Sequence, residues 1–227
     1  MKKKALILSL LLLTVVNVQA QNRFMIKAHI APPLSNFKTG FLETFNGSID
    51  YVELMGSAGV GLGIGIHYDK ELPNNFHLVV GLDALRNPIA KVYRQSYTSS
   101  LDSDAIVKYS SYYNIPLSLG LRYEREVKEN LALFVGAGIN ANLLKVSNHE
   151  ISSGSFHFEE HYKPALNFGL SIEGGVVLND RYQFSLGYKG LGKYVLQQTN
   201  IYTDNYTQTS LVIKNISLLH ITFGIIL

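Results

Sequence analysis

The feature that most constrains this chain is alternation: apolar residues recur at every second position, with small or polar residues between them. A period of two is typical of a β-strand whose two faces lie in different surroundings. Beyond the first 20 residues, no apolar run reaches the roughly 18 residues that a transmembrane helix needs. The chain is therefore predicted to be all-β. Eight segments carry the pattern, about 23–31, 58–68, 76–86, 112–124, 131–143, 163–178, 182–194 and 215–227.

One face of each segment is consistently apolar. The opposite face carries glycine, serine, asparagine and several charged residues. In a soluble barrel of the lipocalin kind the apolar face would form the core, whereas in an outer-membrane barrel it contacts lipid and the polar face fills the interior. In two segments the face that we expect to contact lipid comprises Val60, Leu62, Ile64, Ile66, Leu117, Leu119 and Leu121.

Aromatic residues and connection lengths favour the membrane barrel over the soluble one. The short turns DKELPNN, EREVKEN and NDR join alternate segments, while the other connections are much longer. This asymmetry predicts an eight-stranded antiparallel up-and-down transmembrane β-barrel with both termini in the periplasm. Two further strands within 32–57 would make ten. An interfacial aromatic girdle is predicted from Phe24, Tyr68, Phe76, Tyr123 and Tyr182 at one end and from Tyr113, Tyr162 and Tyr194 at the other.

The N-terminus predicts export to the outer membrane. Three lysines at 2–4 precede an apolar run at 5–16, and a V-Q-A signal-peptidase site follows. We therefore expect 1–20 to be a signal peptide and 21–227 to be the barrel domain. Three of the 20 Lys and Arg residues lie in the leader, so the remainder carries 17 against 17 Asp and Glu. This balance offers no basic surface to nucleic acid, and the chain has no cysteine for disulfides or thiolate metal sites.

The segment YYNIPLSLGLRYERE, residues 112–126, combines an outward leucine ladder with an internal proline. Pro116 has no amide hydrogen to donate to the ladder, so it predicts a β-bulge. The segment resembles the middle strands of small outer-membrane barrels, namely the PorT-like and OmpA/OmpX-like barrels of Gram-negative bacteria, Bacteroidetes in particular. The resemblance implies the fold and an outer-membrane location. Because that family is functionally mixed, it implies no activity.

A glycine stands at every second position of GVGLGIGI, residues 59–66. A dinucleotide site would need a glycine turn between a strand and a helix, with the phosphates at the helix N-terminus. Here valine, leucine and isoleucine separate the glycines, and no helical pattern follows. The ladder therefore predicts the inward face of a strand, and no cofactor is expected.

Charged residues on the inward faces are the strongest candidates for a site. An eight-stranded barrel is narrow enough for side chains to fill it, and an unpaired buried charge costs several kcal/mol. A paired network would plug the interior, and a narrow pore or proton path is the alternative use of the same residues. The predicted network comprises Lys27, Asp83, Arg122, Glu173, Lys189 and His220.

The motif HFEEH, residues 157–161, matches the H-x-x-E-H pattern of one zinc-peptidase class. That chemistry places both histidines on one helical turn, whereas the flanking residues here predict an extended loop. In an extended chain His157, Glu159 and His161 would share a face, which makes them weak candidates for holding a divalent metal. No catalytic zinc site is expected.

The predicted role is structural or based on surface interactions. The long outer loops include VYRQSYTSSLDSD and QQTNIYTDNYTQTS, and their tyrosine, serine and asparagine suit adaptable recognition. The expected partners are outer-membrane lipid, lipopolysaccharide, and an extracellular or periplasmic protein. The alternatives are a narrow transport or secretion-associated pore and a lipid-modifying enzyme of the outer membrane. Ser110, Ser111, Glu160 and His161 lie near the predicted outer rim, but no spacing links them, so an enzyme is not expected.

Overall fold

The computed structural model describes residues 22–34, 37, 41–45, 48–53, 57–98, 101, 104–202 and 207–227. The predicted signal peptide lies outside these residues. Within them the chain forms fourteen strands and the helix α1, all numbered here in chain order. They are β1 (Asn22–Ala31), β2 (Pro33–Leu34), β3 (Phe41–Phe45), β4 (Ser48–Glu53), β5 (Gly61–Leu72), β6 (Phe76–Pro88), α1 (Lys91–Thr98), β7 (Ile106–Lys108), β8 (Ser111–Lys128), β9 (Leu131–Val146), β10 (His149–Ser153), β11 (Phe156–Tyr162), β12 (Ala165–Leu178), β13 (Tyr182–Tyr202) and β14 (Thr207–Ile226).

Eight of these strands form a closed antiparallel ring. The order around the ring is β1, β5, β6, β8, β9, β12, β13 and β14, and β14 pairs again with β1. These strands coincide with the eight alternating segments, so the predicted eight-stranded barrel is confirmed. Within the 32–57 stretch, β2 pairs with β14, while β3 and β4 form a separate two-stranded sheet. The described part of that stretch adds no strand to the ring.

Short turns join the strands at one end of the barrel, which we call the turn end. Asn74, Asn130, Asn179 and Asp180 have positive φ angles of 63°, 65°, 52° and 51°. Asparagine and aspartate tolerate this left-handed region better than most residues, and two consecutive positive φ angles are typical of a type I′ hairpin turn. Strands β5 and β8 run further than the sequence suggested, so two of the turns are shorter than predicted. The turns are Pro73–Asn75, 129–130 and 179–181.

The opposite end, which we call the loop end, contains regular structure where long loops were predicted. Strands β13 and β14 continue beyond the ring as a paired ribbon, so most of QQTNIYTDNYTQTS is strand. Strand β11 pairs with this part of β13, β10 pairs with β11, and β7 pairs with β10. Helix α1 covers much of VYRQSYTSSLDSD. Among the described residues, no helix is long and apolar enough to span a membrane.

The outer face of the ring is apolar and the inner face is polar. Ile64 is 69% exposed and Leu62 is 66% exposed, whereas Asp83 and Lys27 are each 1% exposed. All seven residues expected to contact lipid are exposed on the outer face. Aromatic residues pair across strands on the same face, with ring centroids 5.1 Å apart for Phe24 and Tyr68 and 5.4 Å apart for Phe76 and Tyr123.

Two residues of the predicted girdle are not on this face. The pairing register of β13 shifts between Gly190 and Gly192, and Gly192 has a φ of 101°. The extra residue of this bulge exchanges the two faces of the strand beyond it, so Tyr194 points inward and is 1% exposed. Tyr162 lies in β11, where it packs against buried apolar residues of the interior. The girdle prediction is wrong for both.

Candidate functional site

The glycine ladder of β5 makes room for the side chains of β6. Gly63 and Gly65 pair with Leu85 and Asp83 across the two strands. A Cβ atom on Gly65 would overlap the Asp83 carboxylate. The ladder is therefore the inward face of a strand, and it leaves space for larger side chains from its neighbour. In the same way, Gly61 of β5 makes room for Asn87 of β6. Gly81 of β6 in turn makes room for His67 of β5.

Asp83 is the centre of a polar cluster in the middle of the barrel. Its Oδ1 atom lies 3.0 Å from His29 Nε2 and 2.8 Å from His67 Nε2. Its Oδ2 atom accepts a hydrogen bond from Lys189 Nζ at 2.6 Å. The four residues come from β1, β5, β6 and β13, and each is at least nine-tenths buried. The carboxylate thus neutralises one lysine and orients two imidazoles.

The protonation of these imidazoles follows from their partners. A carboxylate only accepts hydrogen bonds, so both His29 and His67 donate from Nε2. His29 Nδ1 lies 3.2 Å from Thr222 Oγ1, and the same hydroxyl lies 3.0 Å from His220 Nδ1. With a neutral His29, Nδ1 accepts from the Thr222 hydroxyl, and that hydroxyl in turn accepts from His220 Nδ1. Among the described residues, the other ring nitrogens, His67 Nδ1 and His220 Nε2, are buried with no hydrogen-bond partner.

A second polar cluster lies nearer the turn end. Asp69 pairs with His77 Nδ1 at 2.9 Å and with the guanidinium of Arg122. Arg122 also donates to Gln183 Oε1 at 2.9 Å and pairs with Glu124 Oε2 at 3.0 Å. Removing one member would leave the others buried without their charge partner, which is the costly way to break such a network. This cluster closes the interior between β5, β6, β8 and β13.

A cavity of about 60 Å³ lies beside the Asp83 cluster. Glycines on β8, β9 and β13 form part of its wall, and His67, Lys189, His220 and Glu173 line it. A water molecule needs about 10–15 Å³ of such space, so the cavity has room for several. Glu173 is also the strongest favourable electrostatic partner of the buried Lys27. The middle of the barrel is therefore polar and roomy enough to be hydrated.

Apolar side chains fill both ends of the interior. The turn-end cluster comprises Met25, Ala132, Phe134, Val177 and Ile226. At the loop end a larger cluster is formed by Ala31, Phe37, Ala58, Leu85, Ile89, Tyr112, Leu144, Val146, Leu191, Tyr194, Leu196, Ile216 and Leu218. The polar layer consequently lies between two packed apolar layers, which is the arrangement of a plug.

The six residues predicted to form the interior network all lie on inward faces. The structure divides them: Asp83, Lys189 and His220 belong to the middle of the barrel, while Arg122 belongs to the turn-end cluster. His67, Asp69 and His77 are also buried in the interior, although they were not predicted to be there. His67 and Asp69 follow Gly65 at the same two-residue spacing as the glycine ladder. Continuing the ladder by four residues would therefore have placed both on the inward face. His77 lies six residues before Asp83 in β6, so an inward Asp83 predicts an inward His77.

The histidines of HFEEH are not brought together around one point. The motif lies in β11, where His161 Nε2 pairs with Glu159 Oε1 at 3.0 Å and His157 Nδ1 contacts Ser152 Oγ at 3.0 Å. Residues four apart in a strand are about 13 Å apart, too far for His157 and His161 to bind one ion. Among the described residues, the group of three or more ligands with suitable spacing is His29, His67 and Asp83.

His149 is a buried titratable group in the loop-end sheet. It is 1% exposed, and its Nδ1 atom lies 3.1 Å from the carbonyl oxygen of Lys108. Burial lowers the pKa of His149 from 6.5 to about 4. The imidazole is therefore neutral at physiological pH, and it packs against Tyr109 with ring centroids 5.8 Å apart.

Basic residues stand on the outer face near the loop end. Arg86 pairs with Tyr113 on the next strand, and Tyr113 pairs with Lys145 on the strand after that. The Arg86 guanidinium lies 5.9 Å from the Tyr113 ring centroid and donates to Ser111 Oγ at 3.3 Å. Lys193 is likewise exposed on the outer face of β13. We call Arg86, Lys145 and Lys193 the basic rim.

No protein-family model and no curated protein matches the chain. Its fold is similar to those of several solved outer-membrane proteins. The outer membrane protein OprG from Pseudomonas aeruginosa is 11% identical over 92% of this chain and 97% of that chain, with a TM-score of 0.50. A major outer membrane protein from Thermus thermophilus is 9% identical over 91% of this chain and 100% of that one, with a TM-score of 0.49.

Neisserial surface protein A is 13% identical over 91% of this chain and 96% of that chain, with a TM-score of 0.46. At these identities a likeness shows the fold alone, and the similarity to OprG reaches a TM-score of 0.50. The chain therefore has the fold of a small outer-membrane β-barrel protein.

Proposed function

We propose that this protein is a plugged β-barrel of the outer membrane of a Gram-negative bacterium, of the PorT-like and OmpA/OmpX-like kind. In this proposal it acts through its structure and its surface rather than by conduction or catalysis. The exported chain loses residues 1–20, both termini lie in the periplasm, and the loop end faces outward.

The observation that carries the proposal is the inverted distribution of polarity. Charged ring residues within the apolar band are buried inside, while leucine, isoleucine and valine are exposed outside; the buried charged residues are Lys27, Asp69, Asp83, Arg122, Glu124 and Lys189. Soluble monomers rarely expose an apolar surface that encircles the molecule. Transferring the exposed parts of the seven predicted lipid-facing side chains from water to lipid is worth on the order of 10 kcal/mol. A soluble lipocalin-like barrel would need the opposite arrangement.

Heat modification and membrane fractionation test the location. The unheated protein is expected to migrate faster than the boiled protein in detergent gels, because a closed barrel resists unfolding by detergent. The protein is also expected to fractionate with outer membranes. Recovery in the soluble periplasmic fraction would refute the proposal.

The two apolar layers support a plug over a pore. A conducting path would have to pass through both the turn-end and the loop-end apolar clusters. We therefore expect no conductance above background when the purified barrel is inserted into planar lipid bilayers. Steady unitary currents would favour the narrow-pore alternative. The hydroxyl of Ser111 accepts a hydrogen bond from Arg86, a cation rather than a general base, which does not favour the enzyme alternative.

The orientation can be tested because the chain has no cysteine. Ser155 lies in the exposed turn between β10 and β11 at the loop end, and Glu129 lies in an exposed turn at the turn end. A membrane-impermeant maleimide is expected to label S155C but not E129C on intact cells. After lysis both variants should react. Labelling of E129C on intact cells would reverse the proposed orientation.

The basic rim supports lipopolysaccharide as a lipid partner. Arg86 and Lys145 flank Tyr113 on three neighbouring strands, at the boundary that would meet the phosphates of lipid A. Arginine and lysine bind phosphate through charge-assisted hydrogen bonds. We expect R86Q/K145Q to retain less lipopolysaccharide on purification than wild type. The turn-end variant R125Q/K128Q is the matched control, and an equal loss there would argue against a specific site.

A further inference from the structure

We propose that His29, His67 and Asp83 form a binding site for a divalent transition-metal ion inside the barrel. These residues come from the neighbouring strands β1, β5 and β6. One ligand atom from each, either Nε2 or Oδ1, lies within 4.8 Å of the other two, and all three residues are buried. The inference depends on the barrel interior and not on the cellular location of the protein.

The two distances between imidazole nitrogen and carboxylate oxygen are compatible with a common ion. The imidazole nitrogens lie 2.8 Å and 3.0 Å from the same carboxylate oxygen. Two ligands about 2.1 Å from a metal lie about 3.0 Å apart at a right angle and about 3.4 Å apart at a tetrahedral angle. An ion could therefore bind these atoms once the three side chains turn so that both Nε2 atoms and Oδ1 point at it. Two imidazoles and one carboxylate favour Zn²⁺, Fe²⁺ or Co²⁺ over Ca²⁺ and Mg²⁺.

The neighbouring cavity supplies the remaining coordination positions. It holds about 60 Å³ and is lined by His67 of the trio and by His220, whose ring centroid lies 4.4 Å from that of His29. Water molecules there could complete the coordination shell, as in metal sites with open positions. Space for the trio itself comes from Gly65 and Gly81, where any side chain would overlap Asp83 or His67.

The two unpartnered ring nitrogens are independent evidence for a ligand. Both His67 and His220 are more than nine-tenths buried, and His67 Nδ1 and His220 Nε2 have no partner among the described residues. Metal binding at His67 Nε2 would move that proton to Nδ1, which could then donate to water in the cavity. At His29 the displaced proton would move to Nδ1 and donate to Thr222.

That change reverses a whole chain of hydrogen bonds. Thr222 would then donate to His220 Nδ1 instead of accepting from it, and His220 would carry its proton on Nε2, facing the cavity. Both hydrogen bonds of Thr222 are kept in the reversed direction, and the two imidazole hydrogen bonds to Asp83 are replaced by bonds to the metal. Partners of this kind fix the orientation of ligating imidazoles.

Lys189 competes with the ion for the negative charge of Asp83. Its Nζ atom lies 2.6 Å from Asp83 Oδ2 and neutralises the carboxylate when no metal is bound. Lys27 adds a second positive charge in the same layer, and Glu173 opposes it. A divalent ion beside Lys189 is electrostatically disfavoured, so removal of this lysine should tighten metal binding.

Cobalt titration of the purified, chelator-treated barrel in detergent tests the site. We expect one Co²⁺ per chain, visible d–d absorption bands, and displacement of Co²⁺ by Zn²⁺. H67Q and D83N should weaken Co²⁺ binding at least about tenfold, because loss of an outer-shell partner alone costs about 10–100-fold, whereas K189M should tighten it. H157Q/H161Q on β11 is the matched control and should bind as wild type does.

Folding of each variant is checked by its heat-dependent shift in detergent gels. If D83N does not fold, H67Q and H29Q decide the question. Absence of Co²⁺ binding in both wild type and K189M would overturn the proposal, and so would unchanged binding in folded H67Q. Neither result would affect the membrane location, which the fractionation experiment tests separately.

Discussion

Replacing Ile64 with lysine tests the assignment of the two barrel faces. Ile64 is 69% exposed on the outer face of β5 and pairs with Ala28 and Ala84 on the adjoining strands. Neither neighbour can stabilise an ammonium group. Ile64 lies four residues along the strand from Tyr68, which belongs to the proposed aromatic girdle. At about 3.3 Å per residue and a tilt near 40°, this corresponds to about 10 Å of height in an apolar band about 25 Å tall.

The expected penalty follows from this depth. A lysine near the bilayer midplane costs about 2–4 kcal/mol, and the cost falls to about 0–1 kcal/mol near the interface. Val60 stands on the same face of the chain, eight residues from Tyr68, and is therefore about 20 Å above it. I64K should lower the free energy of unfolding by about 2–4 kcal/mol, whereas V60K should lower it by about 1 kcal/mol or less.

Equilibrium unfolding in phospholipid vesicles measures both values. The chain has no tryptophan, so far-UV circular dichroism is the appropriate signal along a guanidinium gradient. I64L is the conservative control and should unfold as wild type does. If I64K were as stable as I64L, the outer face of β5 would not be in contact with lipid. If V60K lost as much stability as I64K, the depths assigned to the two residues would be wrong.

Three further predictions concern the interior, a turn and the loop end. G65A should destabilise the barrel by about 1–3 kcal/mol through overpacking against Asp83, whereas G174A, whose Cβ would lie 3.6 Å from its nearest neighbour, should have little effect in the same unfolding assay. N130A should cost about 1 kcal/mol because of the positive φ there, while N130G should be neutral or stabilising in thermal melts. Because the pKa of His149 falls from 6.5 to about 4 on burial, the folded loop-end sheet binds fewer protons than its unfolded form. Its stability should be complete above about pH 6.5 and should decrease by up to about 3 kcal/mol as the pH falls to 4. Hydrogen exchange of the β7 and β10 amides should show this decrease, and a pH profile unchanged by H149Q would contradict it.

Alternation in the sequence was sufficient to predict the ring and its two faces. Successive side chains of a strand point in opposite directions. Once one apolar face is recognised, an odd or even residue number is therefore enough to predict whether a side chain faces inward or outward. Lys27, Asp83 and Arg122 were placed on inward faces on this basis, and their side chains are buried. Strand ends were less predictable, since β5 runs to Leu72 and β13 to Tyr202 through polar residues that pair beyond the apolar band.

Parity fails where a strand is irregular. Pro116 was expected to cause a bulge, yet the register of β8 with β9 is unbroken there. Register shifts lie instead at Glu126–Lys128 of β8 and at Gly190–Gly192 of β13, where glycine permits a φ of 101°. Nothing in the alternation of β13 signals the shift until Tyr194, whose aromatic ring is compatible with either face. A tyrosine near the boundary is therefore a weak guide to orientation.

The partners of the inward charges could not be predicted, because they depend on which side chains reach across intervening strands. His29 of β1 contacts Asp83 of β6, although β5 lies between these two strands. The contact is made because β5 has Gly63 opposite His29 and Gly65 opposite Asp83. A Cβ atom at Gly65 would meet both the carboxylate and the imidazole, so any larger residue would separate them. The glycines of GVGLGIGI thus determine which polar groups meet in the interior, and they do so by leaving the space through which two non-adjacent strands make contact.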